Sequence, residues 1–142
     1  YGADSIIFAL RKRNTVENVF NVKYNFNNKM GLTFRARHYW SKVANKEFFK
    51  LKEDGYLNHI PGGISNNVDF NVNYFNIDMV YTWQFALGSF INVVWKDAIG
   101  TFDRNVKTNY FKNFGNTLSS DQQNSLSIRI IYFLDYLNLK KK

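Results

Sequence analysis

The longest patterned stretch of the chain is Asn67–Leu87, in which apolar and polar residues alternate almost without interruption. The apolar positions are even-numbered from Val68 to Tyr74 and odd-numbered from Phe75 to Phe85. Alternation with period two predicts a β-strand with one apolar and one polar face, and the slip at Tyr74-Phe75 predicts a β-bulge. The run far exceeds the usual strand of about five or six residues. Such length is typical of transmembrane barrels, whose tilted strands need roughly 9–11 residues to cross the hydrocarbon.

The same alternation predicts five further strands, so the chain is expected to be all-β with six antiparallel strands. Their predicted bounds are Asp4–Lys12, Val16–Asn27, Met30–Val43, Phe90–Ala98 and Gln123–Tyr136. Turn-forming residues predict tight turns at Arg13–Thr15, Asn27–Lys29 and Leu87–Ser89. Long polar connections are predicted at Ala44–Asn66 and Ile99–Gln122.

Tight turns and long connections alternate in the last four links between predicted strands. Transmembrane barrels have short periplasmic turns and longer outer loops, so Asn27–Lys29, Leu87–Ser89 and the C-terminus are expected in the periplasm. The short turn Arg13–Thr15 would lie outside, against the rule. Known single-chain barrels have at least eight strands, and an open edge leaves backbone groups unpaired in lipid. Residues 1–142 are therefore expected to be the C-terminal part of a single, larger outer-membrane β-barrel domain, completed by strands of the same or another chain.

One predicted sheet face is uniformly apolar and is expected to contact outer-membrane lipid. Its members are Phe20, Val22, Tyr24, Phe26, Leu32, Phe34, Ala36, Ile77, Met79, Ile91, Val93, Ile128 and Ile130. Aromatic residues gather towards the strand ends, as in the girdles at membrane–water interfaces. The residues assigned to this interface are Trp40, Trp83, Trp95, Tyr132 and Tyr136.

The opposite face is polar and is expected to line a wet or plugged lumen. Its charged members are Lys23, Arg35, Arg37, Asp78 and Arg129. For each of them a solvated or ion-paired lumen residue is favoured over a substrate contact, because exposed charges usually stay solvated.

Composition narrows the class of protein. The chain has 142 residues, of which 45% are hydrophobic and 18% aromatic, but its apolar runs are too short for a transmembrane helix of about 20 residues. The absence of cysteine excludes disulfides and thiolate chemistry. The net charge of +8 is dispersed between apolar residues, so no nucleic-acid partner is predicted. The chain starts at Tyr1 without a basic and apolar leader, which suggests a mature or truncated chain.

No constellation of catalytic residues is recognised, and the protein is predicted not to be an enzyme. His38 and His59 lack metal-ligand spacing, and the acidic stretch around Glu53 lacks the pattern of a calcium loop. Pro61-Gly62-Gly63 is a predicted turn. No catalytic residue, metal site or cofactor is therefore predicted. Aromatic residues of the second long connection are expected to pack it onto its neighbours rather than stack on sugars; they are Phe102, Tyr110, Phe111 and Phe114.

Three segments resemble the barrel of a Bacteroidota outer-membrane family: Val22–Val43, Phe75–Ser89 and Phe114–Tyr136. Members of that family carry an N-terminal domain similar to family 9 carbohydrate-binding modules, followed by a large C-terminal β-barrel domain of unknown function. The resemblance covers most of the chain and implies the extreme C-terminus of such a protein, in a Gram-negative outer membrane. It also implies a link to carbohydrate, but only through a domain outside this sequence.

Together these patterns predict an integral outer-membrane β-barrel protein with a structural or transport-related role and an undefined substrate. The last strand, which ends with Tyr132, Leu134 and Tyr136, is expected to be recognised by the barrel-assembly machinery, and a larger membrane complex is left open. One alternative is the last strands of a TonB-dependent-type receptor or porin, which would have a plug or substrate-dependent uptake. Another is a soluble β-barrel or sandwich that binds an apolar ligand. An enzyme embedded in a barrel is disfavoured, because no Ser/His/Asp set lies at matching strand heights.

Overall fold

A computed structural model describes residues 5–134, which form six β-strands and one short α-helix. In chain order these are β1 (Ile7–Asn27), β2 (Met30–Leu51), β3 (Leu57–His59), β4 (Phe70–Ala86), β5 (Ser89–Asp103), α1 (Tyr110–Leu118) and β6 (Gln122–Ile131). The strands form one antiparallel sheet in the order β1-β2-β4-β5-β6, and β3 pairs with β2. Within the described residues this sheet is not closed. The predicted all-β antiparallel class is therefore confirmed.

β1 is a single strand where the sequence predicts two. It runs from Ile7 through Arg13 and Thr15 without a break. The Arg13 Nη2 donates to the Tyr39 hydroxyl at 3.0 Å, and the Thr15 and Ser41 hydroxyl oxygens are 3.2 Å apart. These contacts place the stretch beside β2. The predicted turn at Arg13–Thr15 is wrong, because a turn-like sequence becomes a strand when a neighbouring strand pairs with it.

Both predicted long connections contain regular structure. β2 continues past its predicted end at Val43 and pairs with β3, with Phe49 opposite His59 and Leu51 opposite Leu57. β5 likewise continues to Asp103, and α1 lies in the second connection. The two remaining turns are tight, at residues 28–29 and 87–88. The connections between the five long strands therefore alternate short and long without the exception that the sequence suggested.

The chain divides into two compact units; β1, β2, β4 and β5 contribute residues to both, whereas β6 belongs to the second unit alone. Within the described residues the first unit comprises 5–17, 39–74 and 100–120. The second unit comprises 18–38, 75–99 and 121–134.

In β4 buried and exposed side chains keep alternating with the same phase across the predicted slip at Tyr74-Phe75. The strand is continuous from Phe70 to Ala86. Asn71 and Asn73 are each 2% exposed and Phe75 is 9% exposed, whereas Tyr74 between them is 54% exposed. From Asn71 to Phe75 odd-numbered side chains therefore stay on the covered side, and the predicted bulge at Tyr74-Phe75 is wrong. The pattern changes because two buried positions hold asparagine, whose amides bind a partner inside the protein.

An apolar face of β5 and β6 lies in the second unit and is uncovered on β6. Three apolar pairs lie directly opposite one another in the ladder: Ile91 and Ile130, Val93 and Ile128, Trp95 and Leu126. Directly opposed residues of an antiparallel pair share a face. Ile130, Ile128 and Leu126 are 66%, 64% and 66% exposed, so the described residues do not cover this face of β6.

The turn between β4 and β5 requires glycine at position 88. Gly88 has a φ of +71°, and a Cβ there would lie 2.9 Å from the Cβ of Phe133. We expect Gly88→Ala to destabilise the folded protein, since a left-handed non-glycine residue costs of order 1–3 kcal/mol. Thermal unfolding of the full-length protein should show a lower midpoint.

Gly115→Ala in α1 is the matched control. An added Cβ at Gly115 has nothing within 4 Å, and alanine favours a helix over glycine by about 1 kcal/mol. The midpoint of this variant should stay constant or rise. A midpoint for Gly88→Ala equal to that of the unmodified protein would show that the turn does not need glycine.

Candidate functional site

α1 presents a polar surface to the sheet of the first unit. The side chain of Asn109 caps the helix by accepting a hydrogen bond from the backbone N–H of Lys112 at 3.0 Å, and asparagine is among the best residues at this position. Asn113 and Thr117 lie one turn apart on the same side of α1. They are 2% and 1% exposed. The sequence pattern missed α1 because its buried side is polar.

Three asparagines join α1 to β4, and we call Asn71, Asn73 and Asn113 the amide cluster. The Oδ1 of Asn113 accepts hydrogen bonds from Nδ2 of Asn71 at 2.9 Å and of Asn73 at 3.2 Å, and its Nδ2 donates to Oδ1 of Asn73. The Trp40 indole Nε1 donates to Asn71 Oδ1, and Asn73 Nδ2 also donates to the Thr101 hydroxyl at 3.2 Å. The buried amides thus bind one another, which fixes the position of α1.

Aromatic rings pack α1 against the first unit. The Tyr110 ring lies 5.8 Å from the Trp40 ring, and the Phe114 ring stacks on Tyr110 at 6.1 Å. Phe111 also contacts Tyr110, at 5.5 Å, but is 81% exposed. The expected packing of these rings is therefore observed for Tyr110 and Phe114, while Phe111 remains available to solvent or to a partner.

A pocket of about 260 Å³ lies beside the amide cluster. Its lining also includes Thr101, Phe102, Asp103, Lys107, Asn116 and Ser120. The Asn105 backbone N–H donates to Asp103 Oδ1 at 2.9 Å, and this bond, supported by the charge of Lys107, holds the pKa of Asp103 below its usual value. The amides, the hydroxyls and the ion pair between Lys107 Nζ and Asp103 Oδ2, which are 3.5 Å apart, suit hydrogen bonding to a polar molecule.

Two predicted lumen residues share one face of the second unit. Arg129 lies directly opposite Asn92, and Asn92 accepts a hydrogen bond from the Thr82 hydroxyl at 2.9 Å. Thr82 and Asp78 are both even-numbered positions of β4, so they point to the same side. Lys96 joins this face, with its Nζ 3.9 Å from Asp78 Oδ1. The Lys96 and Asp78 side chains are 64% and 49% exposed, so their ion pair contributes little to stability.

The other three predicted lumen residues extend the same face across β1 and β2. The His38 and Phe75 rings are 6.4 Å apart, which puts even-numbered β2 side chains with odd-numbered β4 side chains. Arg35 and Arg37 therefore point to the Asp78 side. A Cβ at Gly31 would lie 3.0 Å from Asn25 Oδ1, which places Asn25, and with it Lys23, on that side. We call Lys23, Arg35, Arg37, Lys96 and Arg129, with Asp78, the basic face. Its lumen position stays a prediction.

The predicted interfacial aromatics lie in different environments. In the first unit Trp40 is 3% exposed beneath α1. In the second unit Trp83 is 41% exposed and Tyr132 is 64% exposed, with the Tyr132 ring stacked on Phe85 at 6.2 Å. The Trp95 indole donates to Asn124 Oδ1 at 3.0 Å. Tyr136 lies outside the described residues. Their role at a membrane interface stays a prediction.

Each of the two histidines contacts an aromatic ring. His59 contacts the Phe49 ring at 5.4 Å, and His38 contacts Phe75. Across residues 5–134 no three His, Cys, Asp or Glu side chains group as metal ligands. In the same part of the chain, no helix has the length and apolar character needed to span a membrane.

The amide cluster predicts a local effect of Asn113→Ala. This change leaves Asn71 and Asn73 without their partner, and an unsatisfied buried polar group costs about 1–3 kcal/mol. We expect α1 to detach and the 99–122 connection to be cleaved faster in limited proteolysis of the full-length protein. Asn116→Ala, at an exposed position of α1, is the matched control and should leave the rate unchanged. Equal cleavage rates for the two variants would contradict the role of the cluster.

One family model matches the chain over its whole length. The family model of a domain of unknown function, DUF5916, matches residues 1–142. No curated protein and no solved structure matches the chain. Since the family model spans every residue, the chain belongs to the DUF5916 family.

Proposed function

We propose that these residues form part of an integral outer-membrane β-barrel with a structural or transport-related role. The observation that carries this proposal is the exposed apolar face of β6. Leu126, Ile128 and Ile130 are each about two-thirds exposed, at 66%, 64% and 66%. Large contiguous apolar surfaces on proteins mark contacts with partners or membranes. Lipid is the partner that accepts such a face without a complementary protein surface.

The opposite face of the same strand pair carries polar residues, although it also includes Val94, which lies opposite Ser127, and the apolar pair of Phe90 and Ile131 at one end. Asn92 lies opposite Arg129, and Lys96 lies opposite Ser125. Strands that alternate apolar and polar residues in this way are typical of transmembrane barrels, which place apolar residues outside and polar residues in the lumen. A soluble sandwich shows the same alternation but needs a second layer over its apolar face, and the described residues place none over β6.

Strand length and connection length support the same proposal. β1 and β2 have 21 and 22 residues, whereas roughly 9–11 tilted residues cross a membrane. The excess would project beyond the lipid. By the rule of short periplasmic turns, residues 28–29 and 87–88 lie in the periplasm, and the connections that hold β3 and α1 lie outside the cell.

The open edges of the sheet call for further strands. β1 and β6 each pair on one side only within the described residues, and an unpaired backbone group in lipid costs several kcal/mol. Further strands of the same polypeptide or of another chain would close the barrel.

The resemblance to a Bacteroidota outer-membrane family supports the proposed outer-membrane location. In that family a carbohydrate link would come from a domain outside residues 1–142.

Two single changes in β6 test the lipid-facing assignment. Ile128→Arg would put a charge in lipid, which costs about 2–4 kcal/mol at the bilayer midplane. Ser127→Arg is the matched control, because its side chain lies on the polar side, beside Arg129. We expect the first change to reduce the amount of full-length protein assembled in the outer membrane and the second to leave it unchanged, as measured by fractionation and immunoblotting.

Equal assembly of the two variants would show that β6 does not contact lipid. Should the unmodified protein remain in solution without detergent, the apolar face would instead be an interior. The protein would then be a soluble β-barrel or sandwich, and an apolar ligand would be the next molecule to test.

A further inference from the structure

We propose that a group of aromatic rings on the sheet of the first unit binds the sugar rings of a carbohydrate. The rings are those of Tyr39, Phe70, Tyr74 and Phe102, which we call the aromatic platform. This inference goes beyond the proposed function, since it assigns a ligand. It requires only that this side of the sheet is in contact with water.

The rings of the aromatic platform pair across neighbouring strands. The Tyr39 ring in β2 lies 6.2 Å from the Tyr74 ring in β4, with 36° between the ring planes. The Phe70 ring in β4 stacks on the Phe102 ring in β5 at 6.2 Å, with 19° between the planes. Phe70 and Tyr74 are both even-numbered residues of β4, so their side chains point to the same side. The four rings therefore share one side of the sheet, opposite the amide cluster and α1.

Gly100 in β5 leaves room for the Tyr74 ring to lie against the sheet. A Cβ at Gly100 would be 3.5 Å from both Cδ1 and Cε1 of Tyr74. Phe102 follows two positions later on the same side of β5, so Tyr74 and Phe102 are diagonal neighbours whose backbone positions are roughly 7–8 Å apart. Tyr74 is 54% exposed and Phe102 is 66% exposed. Both rings thus contact a neighbour and still present a broad surface to solvent.

Hydrogen-bonding groups border the aromatic platform at Tyr39. The Arg13 Nη2 donates to the Tyr39 hydroxyl at 3.0 Å, and its Nε donates to the Ser41 hydroxyl at 3.2 Å. The Thr15 hydroxyl oxygen lies 3.2 Å from that of Ser41. These bonds hold the guanidinium in place and use two of its five N–H donors. Since Arg13 is exposed, the remaining donors can bind the hydroxyl groups of a ligand.

Flat rings beside hydrogen-bonding groups match the chemistry of a sugar. A pyranose ring has apolar C–H groups on its faces and hydroxyl groups around its rim. The C–H face packs on an aromatic ring, and the rim hydroxyls accept hydrogen bonds from a guanidinium and exchange them with other hydroxyls. An apolar ligand would stack equally well but would remove water from Arg13 without replacing its hydrogen bonds. Because two rings of the platform are exposed, a disaccharide gains more contact than a single sugar.

Saturation-transfer difference NMR on the purified full-length protein tests the proposal. The probes are maltose, cellobiose and lactose, with adenosine as a planar aromatic comparison, and any detergent present must lack a sugar headgroup. We expect at least one of the three disaccharides to bind. Tyr74→Ala should raise its dissociation constant about five- to tenfold, because the stacking contact is lost. Phe102→Ala should change the dissociation constant in the same direction.

Tyr56→Ala is the matched control. Tyr56 is a tyrosine of the first unit that is 74% exposed, but it precedes β3 and lies outside the aromatic platform. This variant should bind the disaccharide with the dissociation constant of the unmodified protein. Tyr74→Phe keeps the ring without its hydroxyl and should restore most of the binding that Tyr74→Ala loses. Thermal unfolding of each variant shows whether a change in binding comes from a change in folding.

Three results would overturn the proposal. The first is that none of the three disaccharides binds. The second is binding that persists unchanged in both Tyr74→Ala and Phe102→Ala, since the sugar then binds elsewhere in the protein. The third is tighter binding of adenosine than of every disaccharide, which would assign the platform to planar aromatic ligands. Each of these results leaves the lipid-facing assignment intact, because that assignment rests on the apolar face of β6.

Discussion

The apolar face of β5 and β6 has to be covered, and this requirement governs the interpretation of the whole sheet. Ile91, Val93 and Trp95 are paired with large apolar residues across the ladder. Burial of a large apolar side chain contributes about 1.5–3 kcal/mol, so a face that stays in water forgoes that stabilisation at every position. The described residues provide no layer for β6. A lipid bilayer would cover such a face without a complementary protein surface.

Polar side chains of the sheet lie in two kinds of environment, one buried and one exposed to solvent. In the first unit polar side chains are buried and bound to one another, as in the amide cluster, where every named amide has a hydrogen-bond partner inside the protein. In the second unit the charged side chains of the basic face stay in solvent. Buried polar groups need partners because water is absent, whereas exposed charges need none. The first arrangement stabilises a structured connection.

Sequence reasoning succeeded where alternation alone decides the structure. The antiparallel strands form where alternation predicts them. Strand register puts the five residues assigned to the lumen on one face, and their lumen position stays a prediction. It failed where tertiary contacts override local signals. Arg13–Thr15 looks like a turn but pairs with β2. The buried asparagines of β4 stand where the alternation would place apolar residues, so the sequence falsely predicts a phase slip. The buried positions of α1 are asparagine and threonine, so apolar periodicity does not reveal the helix.

The central claim is that the apolar face contacts lipid, and fractionation of cells that make the full-length protein tests it most directly. The account predicts that the protein sediments with the outer membrane, resists extraction by alkaline carbonate and dissolves only in detergent, because lipid covers the face that includes Ile128 and Ile130. Recovery of folded protein in the soluble fraction without detergent would contradict the account. The apolar face would then be buried inside a soluble protein.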